Sequence, residues 1–264
     1  MATSIEDINA LIAGYTDLKA YFEDQKPRWD GDVSAAQAAY TALSSNLKNV
    51  VNTQMNFNVE IDPDAVNPSE VSGGVFTNIG DAIDAAPYGS LVTLNLLAGK
   101  EHTVDRGLFL AGRRLFIKQK GPGDRPTLKF SAVSDANFNH MRGFDTIGSE
   151  SITMQSVNIQ FPEKDNPALA WSSLRSIIRY TSFGMRIVSL NSCNITGQDN
   201  VCVASSVGAG LSLISMNNVI MDGAVFAVGS MSSGVAMFSK QSVTLLNGAG
   251  VNEGGTLGTN YLMN

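Results

Sequence analysis

Charge is scarce in this 264-residue chain: Asp, Glu, Lys and Arg together make up 16% of it, against about a quarter in ordinary soluble domains. What charge there is leans acidic, 18 Lys+Arg against 24 Asp+Glu, for a net charge of -6. Such a chain lacks the concentrated positive field that displaces counterions from a phosphate backbone, so no nucleic-acid partner is expected. Cysteine is limited to Cys193 and Cys202, too few for a disulfide framework, and both are expected as buried thiols in apolar strands. The two histidines, His102 and His140, have no Cys or carboxylate at ligand spacing, so neither a metal site nor a cofactor is expected. No run approaches the ~18 apolar residues of a membrane span. The opening MATSIEDINALIAGY has no basic leader, which argues against a signal peptide and for folding in a cytoplasm-like compartment.

What is present divides in two. Residues 1–57 read as a helical stalk region, helical over 4–57, with Ser4 as the cap and Asp7 three residues on. With Ile5 taken as position a of a heptad, the a positions are Ile5, Ile12, Lys19, Lys26, Val33, Tyr40 and Leu47. The d positions are Ile8, Tyr15, Phe22, Trp29, Ala36, Leu43 and Val50. Twelve of these fourteen are apolar or aromatic, and the phase never slips. That pattern predicts a supercoiled partner helix, though it does not separate two strands from three. Pro27, Gly31 and the lysines at 19 and 26 predict a break near 27–32. The competing expectation is two helices packed on the chain's own globular domain.

Residues 58–74, with two prolines and a Gly-Gly, read as a turn-rich linker. The body, 75–247, begins with a short helix at about 77–86, with Phe76, Ile79 and Ile83 on one face. Short strands are expected at 91–97, 102–104, 108–110, 115–118 and 127–130, and Phe109, Phe116 and Phe130 are candidate core residues. Three segments then echo one another: Ile152–Ile159, Val188–Ile195 and Ser215–Ile220. Their register aligns Met154 with Leu190 and Met216, Gln155 with Asn191 and Asn217, and Val157 with Cys193 and Val219. Val243–Asn247 is a weaker fourth copy. Unequal spacing around a constant core is the mark of stacked turns of chain carrying variable loops. The aligned Asn or Gln is placed at the turn, where amides tolerate unusual dihedrals. A β-sandwich is the competing fold, but Asn-Gly hairpin signals are lacking. The Gly-rich 248–264 is expected as a terminal cap or docking tail.

The stretch Ala13-Gly-Tyr-Thr-Asp-Leu-Lys-Ala-Tyr-Phe-Glu23 resembles the N-terminal region of bacteriophage tail fibre proteins, and Asn78-Ile-Gly-Asp-Ala-Ile-Asp-Ala-Ala-Pro-Tyr-Gly-Ser90 resembles the opening coil of the pectate-lyase-like tailspike β-helix. The resemblance implies a mainly β chain: a right-handed parallel β-helix behind an N-terminal α-helical coiled-coil stalk, homotrimeric. It implies a virion component of the tail or baseplate, assembled in the host cytoplasm and held to other tail proteins by its N-terminal part. Its body would face the host, with a surface glycan or a distal fibre protein as partner.

Tailspikes of this kind often cleave polysaccharide, which takes two carboxylates about 5–9 Å apart. The best candidates by spacing are Asp165, Asp199 and Asp222, but nothing in the sequence demands such a pair, and no catalytic residue is assigned. Gly121–Pro126 lacks the Lys-Ser/Thr of a phosphate loop and reads as a turn. Trp171, Tyr180 and Phe183, with Arg175 and Arg179, are the candidate glycan or receptor patch, with an inter-subunit or core-covering role as the plainer alternative. The stalk contact is assigned to Ile5, Ile8, Ile12, Tyr15, Phe22, Trp29, Val33, Tyr40, Leu43, Leu47 and Val50. The expected function is therefore a non-enzymatic fibre or short spike for host attachment. The alternatives are a tailspike depolymerase and a structural adaptor carrying a distal receptor-binding protein.

Overall fold

A computed structural model describes residues 5–69, 71–172, 175–180, 184–206, 210–231, 235–252 and 261–263. The chain forms two compact units, Met1–Asn52 and Thr53–Asn264. One is a long helix and the other is a mainly β body with a curled, largely parallel sheet.

Helix α1 runs without interruption over Ile5–Met55. The break expected at 27–32 is absent, and Pro27 sits inside the helix. Its ring removes one amide donor, but residue 23, whose carbonyl loses that bond, is solvent-exposed and can be hydrated instead. The alanines at 35, 36, 38, 39 and 42 then favour continuation. The stretch expected as a linker from residue 58 begins inside the body, because Asn56–Ile61 is a strand paired on one side with Leu91–Leu97 and on the other with Val75–Phe76.

The strands of the body fall into three ladders, each visited once per circuit of the chain. Ladder one stacks Asn56–Ile61, Leu91–Leu97, Arg114–Lys120, Ser151–Gln155, Gly184–Asn191, and the first parts of Gly210–Asp222 and Val235–Leu246, with Tyr261–Met263 beyond. Ladder two stacks Glu101–Val104, Thr127–Phe130, Asn158–Gln160, Asn194–Thr196, and the second parts of those same long strands. Ladder three stacks Leu108–Phe109, Phe144–Thr146, Ser176–Tyr180, Val201–Ser206, Val225–Met231 and Gly250–Asn252. All these pairings are parallel. Alternation fixes which side faces in: Leu91–Leu97 buries Val92, Leu94 and Leu96 and turns Thr93 and Asn95 outward.

Register makes the core columnar. One interior column runs Val59, Leu94, Ile117, Met154, Leu190, Met216. A second, in ladder two, runs His102, Leu128, Ile159, Ile195, Met221. The alignment expected of Met154, Leu190 and Met216 is the observed pairing, and Val219 pairs with Val243 as the fourth copy requires. The amides are placed differently. Gln155 and Asn191 end their strands, and the left-handed backbone falls on the next residue: Ser156 at φ 56, Ser192 at φ 52, Asn218 at φ 53 and Ser242 at φ 53. These four form one corner between ladders one and two. Their neighbours Val157, Cys193 and Val219 point inward behind it.

The short helix α2, Ile79–Ala85, starts two residues later than expected because Asn78 is its cap, accepting from the Asp81 amide at 2.8 Å. It buries Ile79, Ala82 and Ile83 against the first strands of the stack. Of the three phenylalanines expected in the core, Phe130 is buried, Phe109 is exposed and Phe116 half-buried; strand parity turns the latter two outward. Between ladders two and three, two successive turns of chain make excursions that join in a three-stranded sheet, Ala132–Ser134 and Phe138–Met141 from one and Ala170–Trp171 from the next.

Candidate assembly interface

The candidate site follows from what α1 leaves unsatisfied. A helix of 51 residues is about 77 Å long at 1.5 Å per residue. Along it, every apolar member of the assigned contact is exposed, from 78% at Ile5 down to 47% at Ile8 and Trp29. The side chains stack on one another as far as a lone helix allows. Phe22 and Trp29, one heptad apart, hold ring centroids 6.0 Å apart at a tilt of 57°. Tyr21 meets Phe22 edge-on at 5.8 Å. Between them are shallow hollows, one lined by Tyr15, Leu18, Lys19, Phe22, Glu23 and Lys26. A neighbouring helix fills such hollows with its own a and d side chains. Lys19 sits at an a position but is paired at 3.8 Å with Glu23, so its ammonium is turned along the helix surface and its stem can still cover apolar area. Burying eleven such side chains is worth on the order of 15 kcal/mol per helix before the entropy of association is subtracted.

The residues expected as a glycan patch do not form one exposed cluster among the described residues. Trp171 is 7% exposed and belongs to the hydrophobic core. Its strand pairs with Phe138–Asn139, so the excursion folds the indole inward. Arg179 is mostly buried, donating to Asp145 Oδ2 at 2.8 Å and to the Met141 carbonyl at 2.9 Å. Burial pushes the Asp145 carboxyl above its usual range, and the Arg179 guanidinium pulls it back. Arg175 is half-buried and donates its Nε to the Asn200 carbonyl at 2.9 Å. Tyr180 lies on a strand paired with Thr146, while its side chain and all of Phe183 lie outside the described residues.

Two of the three acids weighed for catalysis are engaged in holding the fold. Asp165 accepts from the Ser134 amide at 2.9 Å and its hydroxyl at 2.6 Å. Asp222 accepts from Asn247 at 2.6 Å, and Asp199 is an exposed turn residue at φ 62. Glu150, one of the acids of the body to which the sequence assigns no role, is a buried carboxylate that accepts the amides of Gly112 at 3.1 Å, Ile147 at 3.3 Å and Gly148 at 2.7 Å. These bonds tie two turns of the chain together at the corner before ladder one. Arg186, which the sequence offers with Arg175, Arg179 and Asp199 only as a loose lyase-like grouping or as a structural arginine, is buried among strand residues and donates to Ser212 Oγ at 2.7 Å and the Ser205 carbonyl at 2.8 Å. Glu150 carried no spacing signal, because its partners are backbone amides contributed by loops.

Among the described residues no group of three or more His, Cys, Asp and Glu is placed to hold a metal, and no helix is long and apolar enough to cross a membrane. No protein family, curated protein or solved structure matches the chain.

Proposed function

We propose that this chain is the protomer of a homotrimer in which the α1 helices form a coiled-coil stalk and each body is a right-handed parallel β-helix. Its role is that of a non-enzymatic fibre or short spike of a bacteriophage tail, serving host attachment. The observation that carries the proposal is the 51-residue helix whose in-phase apolar stripe is exposed among the described residues. Three parallel ladders visited in the same order support the β-helix, and the right hand follows from the chirality of parallel β connections. The number three and the phage tail are supported by the resemblance of residues 13–23 and 78–90 to tail fibre and tailspike sequences. The structural employment of Asp145, Glu150, Asp165 and Asp222 favours a shaft over a polysaccharide-cleaving groove.

The adaptor alternative has one observation in its favour. Among the described residues, the last long strand, Val235–Leu246, is covered only over Ala236–Phe238, by Tyr261–Met263. Its remainder offers a strand edge, with Leu245 of the ladder-two core column exposed, which a distal protein can extend.

The test is made on virions. Antibody raised against the purified chain labels tail fibres or tips in electron micrographs of the phage that encodes it. Label found only on material free of particles contradicts a virion role.

A further inference from the structure

The outer face of ladder one is polar over most of its height. Outward positions run Asn58, Thr93, Phe116, Thr153, Ser189, Ser215, Ser239 in one column. The next column runs Glu60, Asn95, Lys118, Gln155, Asn191, Asn217, Gln241. In the last three long strands, the two outward columns nearer the strand starts break this rule. One holds Met185, Leu211 and Val235 and the other Ile187, Leu213 and Met237, each in direct parallel register. Met185 is 40% exposed, Ile187 39%, Val235 37% and Met237 43%, while Leu211 and Leu213 are half-buried. In the Ile187 column the positions beneath are Ser151 and Arg114, and two residues along the same strands are Ser189, Ser215 and Ser239. Leu91 below Arg114 and Phe116 are isolated apolar positions lower on this face, whereas these six adjoin one another in a block two columns wide and three strands high, with Leu262 in register beside Met237. No charge falls inside it.

We infer that this block is where the body packs against another copy of the same chain; the inference rests on the trimer proposed above. Area decides between a copy and an unrelated partner. Six part-exposed side chains offer roughly 400 Å² of surface, about half of what one partner contributes to a standard stable interface. An untethered protein would not be held by so little. A copy already joined through α1 would be, because α1 ends at Met55 and the first strand of ladder one begins at Asn56 with no residue between them. A tether that short raises the effective concentration of one body for another to the millimolar range, where a small, dry contact suffices. Parallel copies present the same columns to one another, so strands of methionine, leucine, isoleucine and valine meet their own kind without a charge to bury.

The test uses the full chain. An Ile187→Cys variant is treated with a short bis-maleimide at micromolar concentration, with Thr103→Cys, on the exposed outer face of ladder two, as control; native Cys193 and Cys202 are buried. Covalent dimers from Ile187→Cys, the largest product one reactive thiol per chain allows, and only monomers from Thr103→Cys support the contact. So does an Ile187→Asp/Met237→Asp variant that dissociates at a concentration at least tenfold above wild type while its β circular dichroism is unchanged. A wild-type trimer that gives no crosslink through position 187, with the double variant dissociating like wild type, overturns the contact and leaves the helical association standing. A wild-type chain that sediments as a monomer overturns both.

Discussion

Asn218 donates its side-chain amide to Ser192 Oγ at 3.1 Å, and the two residues, 26 apart in sequence, hold the same left-handed backbone at φ 53 and φ 52. They are successive members of the corner where each turn of chain leaves ladder one for ladder two. The amides of Ser156 and Ser192 keep the ladder going through that corner, donating to the Asn191 and Asn217 carbonyls at 3.0 and 2.9 Å. A residue is tolerated there if its side chain is small or amide-bearing, because a bulky Cβ clashes with the carbonyl in this conformation.

The corner therefore discriminates by backbone preference. Asn218→Gly is expected to change stability by less than about 1 kcal/mol, whereas Asn218→Val loses about 1–3 kcal/mol by forcing a β-branched residue to positive φ. Urea midpoints of the two variants decide it. Equal midpoints would show that the corner relaxes freely.

Arg186 is expected to matter through the polar groups it satisfies. Removing its guanidinium strips hydrogen bonds from Ser212 Oγ and from the Ser205 carbonyl in a dry interior. Arg186→Ala combines that loss with a cavity and costs about 3 kcal/mol, while Arg186→Met fills the volume and costs less. Thermal unfolding of both variants gives the order. A methionine variant less stable than the alanine variant contradicts it.

Acid is expected to loosen the body through His102. The ring is buried, with Nε2 3.2 Å from the Leu97 carbonyl and Nδ1 without a partner among the described residues. Burial pushes the imidazole below its ordinary 6.5, and the Leu97 carbonyl offsets this in part. The unfolded chain takes up the proton near 6.5 and the folded chain resists it. The stability is fully present above 6.5 and falls as pH drops below it. His102→Gln removes this slope in denaturant titrations between pH 8 and pH 5; an unchanged slope assigns it to other groups.

At lower pH a second group acts. Two backbone amides, of Asn137 and Phe138, followed by His140, hold the Asp135 carboxyl down to about 2. Its contribution is present above about 3.8 and is lost as pH falls toward 2. Hydrogen exchange at the Phe138 amide should quicken across that interval relative to amides of the ladders, and Asp135→Asn should abolish the change.

Much of the body was legible from sequence because a parallel stack repeats its constraints. Met154, Leu190 and Met216 occupy one interior column, and their spacing could be read from apolar and amide identities alone. The earlier turns escaped because Asn95 and Lys118 share the Gln155 column, and a lysine does not announce itself as the partner of an amide. The strand Asn56–Ile61 was read as helix end and linker, since its alternation of Phe57, Val59 and Ile61 is short and runs straight out of a helical phase. Trp171 illustrates the opposite error. An aromatic in a long insertion suggests a sugar-facing ring, yet Ala170–Trp171 pairs with Phe138–Asn139 of the preceding turn of chain and the indole lies in the core. Long-range pairing of that kind leaves no local periodicity to read.

Sedimentation equilibrium of the full chain at micromolar concentration tests the central proposal most directly, since it weighs what the exposed stripe of α1 demands. Three times the 28.0 kDa chain mass is the predicted result, falling to a single chain mass when Tyr15→Asp and Phe22→Asp are introduced together. A wild-type mass of one chain would contradict self-association, and a mass of two chains would contradict the trimer.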